Sequence, residues 1–284
     1  MFVHGGAYRA DQWEYAADYF VRRGFRVIAY DQRGYGRSSK DFGSGWTTLA
    51  NDLRQVLVQK GVTDITLVGG SLGASVVRRY MGIYGDDLVD KLVVLAVPNP
   101  SPPRFVQAEL DLFLAGFRQD KPNTFATAID TPGFLFSPLH FPSEEFRRWV
   151  KHQAIDEIPL WILIDYLNAN QTEDLAADDA SITVCTLIIH GLLDTFHPVI
   201  AAIETNASIP GSQLIIYETS SHNPWYEEKD RFHADLEHFA KTCELRPGVL
   251  PGLPPLPPTL PVLTGFGPLG PIIEQVPVPP LPGG

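Results

Sequence analysis

Apolar residues recur along this chain at two spacings. Trp13, Ala16, Ala17, Phe20 and Val21 fall at helical spacing over residues 11–21, Gly24 closes that pattern, and the β-branched and aromatic run 25–30 predicts a short strand. Thr47 or Thr48 is placed to cap a second helix with Leu49, Leu53, Val56 and Leu57 on one face, and Gly61 precedes a strand over 65–68. A third helix opens at Ser71 and runs to about Tyr84, followed by a near-continuous apolar strand over 91–97. The rhythm returns late, with strands over 183–190 and 213–218 and helices over 198–205 and 224–242. Near-continuous apolar strands alternating with amphipathic helices predict an α/β fold, a mostly parallel sheet with helices on both faces. Ligands then belong at the carboxyl ends of the strands.

Two segments break the rhythm. Residues 98–179 are aromatic-rich without a clear strand and read as a helical cap inserted between core segments 1–97 and 180–246; its Phe134, Phe136 and Trp161, with Trp225 of the core, are candidates to line a pocket. Residues 247–284 carry 13 prolines, which excludes ordinary helix or central strand. This tail reads as flexible, with Leu253-Pro254-Pro255-Leu256-Pro257-Pro258 a polyproline II candidate that an SH3-, WW- or EVH1-type partner would recognise. Met1 runs directly into Phe2-Val3-His4-Gly5-Gly6, which reads as the end of a strand already inside a domain.

A net charge of −11 with no basic run argues against nucleic acid or anionic membrane and leaves small molecules as the expected partners. Cys185 and Cys243 are too few for a disulfide framework and lack metal-ligand spacing, so both read as packing residues and no metal is expected. No stretch approaches the roughly 20 apolar residues of a membrane span, and no basic-then-apolar leader is present, so the expectation is a cytoplasmic protein.

The chemistry concentrates in three loops. Gly69-Gly70-Ser71-Leu72-Gly73 fits G-x-S-x-G between a strand and a helix, the context in which a strained serine presents its hydroxyl above a sheet. A serine hydroxyl is a poor nucleophile at neutral pH and needs a base, and the base needs a carboxylate to hold its tautomer. Asp194 follows one late strand and His222 the next, so Ser71, Asp194 and His222 form the expected catalytic triad. The backbone N–H groups of Gly6 and Leu72 are the expected oxyanion donors. His4, His140, His152, His190, His197, His233 and His238 read as structural or surface residues, and Asp31 as an ion-pair partner of Arg33.

At these residues the chain resembles the α/β-hydrolase superfamily: His4-Gly5-Gly6, the 31–38 loop Asp-Gln-Arg-Gly-Tyr-Gly-Arg-Ser, the Ser71 elbow, His190-Gly191 with Asp194, and His222. Arg78-Arg79-Tyr80, Tyr84-Gly85 and the run 91–95 are similar to its cofactor-free haloperoxidase and aryl-esterase branch. The resemblance implies hydrolysis of a small carboxylic ester through an acyl-enzyme, without a cofactor. C–C bond hydrolysis, lactone opening and perhydrolysis on the same triad stay open, as does a non-catalytic ligand-binding role. Aspartate-nucleophile relatives, the epoxide hydrolases and haloalkane dehalogenases, do not match Ser71. The haloperoxidase and aryl-esterase branch often has an apolar residue and then proline after His-Gly, and methionine after the nucleophile, where this chain has Gly6-Ala7 and Leu72, which favours simple hydrolysis. The superfamily also implies two strands ahead of the one ending at Val3; without them the run 25–30 would be an exposed apolar edge.

Overall fold

A computed structural model describes residues 1–284 except 42, 44, 106, 253, 256, 268, 269 and 278–284. The proline run of the tail therefore lies partly outside the described residues. Five parallel strands form one sheet in sequence order: β1 (Phe2–Val3), β2 (Ile65–Gly70), β3 (Val89–Leu95), β4 (Cys185–Gly191) and β5 (Gln213–Tyr217). Central strands β3 and β4 carry apolar runs at 92–95 and 187–189 because the sheet is covered; Val93, Val94, Leu187 and Ile188 have no exposed surface.

The helices of the core are α1 (Glu14–Val21), α2 (Trp46–Lys60) and α3 (Leu72–Tyr84), then α8 (Ile200–Ser208), α9 (Pro224–Glu227) and α10 (Lys229–Thr242). Helix α1 packs on α10, while α2 packs on α3. Helix α2 begins after Gly45 rather than at a threonine cap, and the single helix expected over 224–242 is broken at Glu228.

Between β3 and β4, in the segment expected to be the cap, the chain forms α4 (Gln107–Asp130), α5 (Glu144–His152), α6 (Leu160–Thr172) and α7 (Ala176–Ser181). Helix α4 bends at Asp120, two residues before Pro122, whose ring and missing N–H prevent a straight ladder. The cap's last helix is tied to the core by the buried ion pair of Arg78 on α3 with Asp179, which also accepts a hydrogen bond from Ser208. Among the described residues no helix is long and apolar enough to cross a membrane.

Four expectations need correction. The run 25–30 is not a strand: it meets the sheet through one bridge, Phe2 to Ala29, with Phe2 N–H donating to Ile28 C=O at 2.8 Å. β1 is two residues long and offers no further ladder partner, so propensity alone cannot make a strand there. Cys185 and Cys243 are not isolated packing residues but form a disulfide between the start of β4 and the end of α10. Asp31 pairs with Arg37, not Arg33, and also accepts from the Ala10 and Arg37 amides; Arg33 forms a two-point pair with Asp52. Part of the tail is ordered: β6 (Thr259–Gly267) and β7 (Gly270–Pro277) pair as an antiparallel hairpin that packs on α4. Prolines fit a two-stranded ribbon because each strand has one unpaired edge on which a missing N–H costs nothing.

Candidate active site

The turn from β2 into α3 is shaped by sterics. Ser71 has φ 53° and ψ −114°, a conformation that costs a non-glycine residue of order 1–3 kcal/mol. Its neighbours must be glycine: a Cβ on Gly73 would stand 2.3 Å from the Val3 carbonyl oxygen, and one on Gly69 would stand 2.4 Å from the Gly73 carbonyl oxygen. The strain is held by Ser71 N–H donating to Leu95 C=O on the adjacent strand at 2.9 Å and by Ser71 C=O accepting from Ala74 N–H.

Asp194 follows β4 and is 1% exposed. Its Oδ1 accepts the backbone N–H groups of Phe196 and His197, both at 2.9 Å, which leaves Oδ2 to face His222 Nδ1 at 2.7 Å. Burial works to raise the pKa of this carboxyl, but His222 through its charge and hydrogen bond, together with His190 and His197, more than offsets that and holds it below the usual range. On the other side of the ring, His222 Nε2 lies 3.0 Å from Ser71 Oγ. The structure thus brings together the three residues that lie 123 and 28 positions apart along the chain.

The loop carrying His222 is fixed from the cap side. Glu227 Oε2 accepts the Ser221 N–H at 2.6 Å while Oε1 accepts the Ser137 N–H at 2.5 Å, so one buried carboxyl group clasps the histidine loop to the cap. Burial pushes the Glu227 carboxyl up to about 8, against the pull of those two amides.

Gly6 shares a cavity with Ser71 and His222, and Leu72 is the first residue of α3, so both expected oxyanion donors flank the serine. The preceding turn is set by His4, whose Nε2 accepts Gln32 N–H at 2.9 Å and whose Nδ1 lies 2.9 Å from Gly5 C=O, and by Gly5 N–H donating to Gln12 Oε1 at 2.7 Å. Those two contacts fix the tautomer, with the proton on Nδ1.

The cavity is lined mainly by apolar side chains. Phe134 and Trp225 line it as expected. Phe136 and Trp161 do not: Phe136 is fully buried against Phe146 and Tyr226, and Trp161 packs on the core away from the cavity wall. Phe113 and Phe117 of α4 line the cavity too; sequence reasoning missed Phe125 of α4, Tyr166 of α6, and Tyr8 and Asn223, which join through Tyr8 O–H donating to Asn223 Oδ1 at 2.9 Å. Aromatic content pointed to the cap as a whole, but not to which face of each helix turns inward. Among the described residues no group of three or more His, Cys, Asp or Glu is arranged to hold a metal.

A strained serine at a strand-to-helix turn, beneath a helical cap and at the carboxyl edge of a parallel sheet, has a family counterpart: residues 1–229 match the α/β-hydrolase fold. The chain belongs to the α/β-hydrolase fold family. Among curated members of that family it is 29% identical over 250 residues to the AB hydrolase superfamily protein YisY of Bacillus subtilis, covering 85% of this chain and 91% of that protein. It is 29% identical over 261 residues to a non-heme haloperoxidase of Rhodococcus erythropolis, covering 85% and 92%. Among solved α/β-hydrolases, an esterase of Exiguobacterium antarcticum superposes with a TM-score of 0.77 at 26% identity, covering 85% of this chain and 91% of that one.

Proposed function

We propose that this α/β-hydrolase cleaves small carboxylic esters with an apolar acyl group, using Ser71 as nucleophile, His222 as base and Asp194 to orient and stabilise the imidazolium. In acylation, Ser71 Oγ bonds to the ester carbonyl carbon as its proton passes to His222 Nε2. The oxyanion is received by the Gly6 and Leu72 amides, and the leaving alkoxide departs with the proton from His222. Water then attacks the acyl-enzyme by the same route in reverse order, returning Ser71 and releasing the acid. The single observation that carries this reading is the continuous contact from Asp194 Oδ2 through His222 to the Ser71 hydroxyl, at 2.7 and 3.0 Å. The lining of Phe113, Phe117, Phe125 and Leu163 beside Ser71 supports an uncharged, apolar acyl group.

Replacing Ser71 by alanine is expected to abolish p-nitrophenyl acetate turnover with the thermal transition unchanged; turnover at the wild-type rate in that variant refutes the reading. A second reading, in which hydrogen peroxide replaces water at the acyl-enzyme, is favoured by the haloperoxidase relative. Peracid formation from acetate and peroxide that exceeds ester hydrolysis would select it. The Cys185–Cys243 bridge fits an oxidising compartment better than the reducing cytoplasm expected from the sequence.

A further inference from the structure

The cap delivers one phenol to the reacting serine. Tyr166 lies in the middle of α6, is 5% exposed, and lines the cavity that contains Ser71 and His222. Its ring covers the expected oxyanion turn: Cε1, Cδ1 and Cζ lie 2.9, 3.2 and 3.3 Å from where a Gly6 Cβ would stand, so only glycine fits beneath it. Cζ, the carbon that carries the hydroxyl, is thus held over Gly6 inside the cavity that Ser71 and His222 share. Helix α6 is anchored at that level, since Arg104 donates to the Asn170 carbonyl and Gln171 exchanges hydrogen bonds with the Phe105 backbone, so the phenol is held by cap structure on both sides.

Position separates the two roles a phenol could take here. The leaving alkoxide must depart toward His222 Nε2, which returns its proton. Tyr166 stands on the Gly6 side, where negative charge collects on the carbonyl oxygen. We infer that the Tyr166 hydroxyl is a third oxyanion donor, contributed by the cap, which donates to the carbonyl oxygen as the tetrahedral intermediate forms. No proton changes owner in this step; the phenol donates a hydrogen bond to the oxyanion and keeps its proton. Burial raises its pKa above the ordinary tyrosine value, which keeps it a neutral donor across the working range. The consequence is that the complete oxyanion site exists only when α6 is seated over the core.

This inference rests on the esterase reading, and the test separates the two. In the full-length protein, Tyr166→Phe removes only the hydroxyl. Expected are a fall of about 10²-fold in kcat for p-nitrophenyl butyrate, a KM within about threefold, and a comparable loss of affinity for a trifluoromethyl ketone that mimics the tetrahedral adduct. A packing role would leave kcat and ketone affinity unchanged, and kcat within twofold of wild type overturns the inference while leaving the esterase reading intact. A wild-type protein with no turnover and no ketone binding overturns both. Should Tyr166→Phe fail to fold, Tyr166→3-fluorotyrosine supplies the second readout. Its phenol ionises at lower pH, so an alkaline fall in kcat absent from the wild type is expected, and identical pH profiles overturn the inference.

Discussion

His222 Nδ1 stands 2.7 Å from Asp194 Oδ2, while the other oxygen of that carboxylate is occupied by the Phe196 and His197 amides. The carboxylate therefore has one acceptor aimed at the imidazole, whose Nε2 faces the Ser71 hydroxyl at 3.0 Å. Asp194→Asn keeps the shape but can present an N–H where an acceptor is required. Steady-state kinetics on p-nitrophenyl acetate should show kcat reduced by about 10⁴-fold with little change in thermal stability. A loss below tenfold would remove Asp194 from the mechanism.

Most of the architecture was legible because it is written locally. The Ser71 elbow needs two glycines and a strand and helix on either side, all within a short stretch, and the alternation of apolar strands with amphipathic helices carried the parallel sheet. What was illegible depends on distant partners. The run 25–30 has strand-like residues, but among the described residues its one partner in the sheet is Phe2. Cys185 and Cys243 are 58 positions apart and meet only because α10 returns to the start of β4. Asp31 chose Arg37 over Arg33 because the turn folds residue 37 back, placing its amide and guanidinium on one carboxylate oxygen. Phe136 and Trp161 share the cap's aromatic composition with Phe134 but face away from the cavity.

The disulfide gives a stability prediction. Closing 58 residues in the unfolded chain removes entropy worth about 4 kcal/mol in the loop-closure account. Reduction by dithiothreitol, or Cys243→Ser, should lower the melting temperature by roughly 8–15 °C in differential scanning calorimetry. Equal melting temperatures with and without reductant would show that the bridge does not form in solution.

His4 gives a pH dependence. Burial, offset in part by the Gly5 carbonyl and by Asp31, lowers its pKa from 6.5 to about 4, and protonating Nε2 would break the bond it accepts from Gln32 N–H. The unfolded chain binds this proton below about 6.5 and the folded chain only near 4, so the unfolded state holds more protons in that window. Stability should therefore rise with pH between about 4 and 6.5, and His4→Asn should be less stable at neutral pH with a shallower slope across that window. Urea denaturation at half-unit pH intervals measures it; parallel slopes in the two proteins would contradict it.

The proposed acyl site gives a specificity prediction. Phe117 is 1% exposed and packs against Phe113 and Phe125 in the cavity wall. Phe117→Ala should cost about 3–5 kcal/mol of stability and move the preferred chain length upward in a p-nitrophenyl ester series from acetate to octanoate. An unchanged length profile would place the acyl group elsewhere.

The central claim is that Ser71 is an activated nucleophile, and covalent capture tests it most directly. A fluorophosphonate probe incubated with the folded protein, followed by intact mass and peptide mapping, should give one adduct on Ser71, lost in Ser71→Ala and slowed by orders of magnitude in His222→Ala. Folded wild-type protein that remains unlabelled, or an adduct mapped to another residue, would contradict the account.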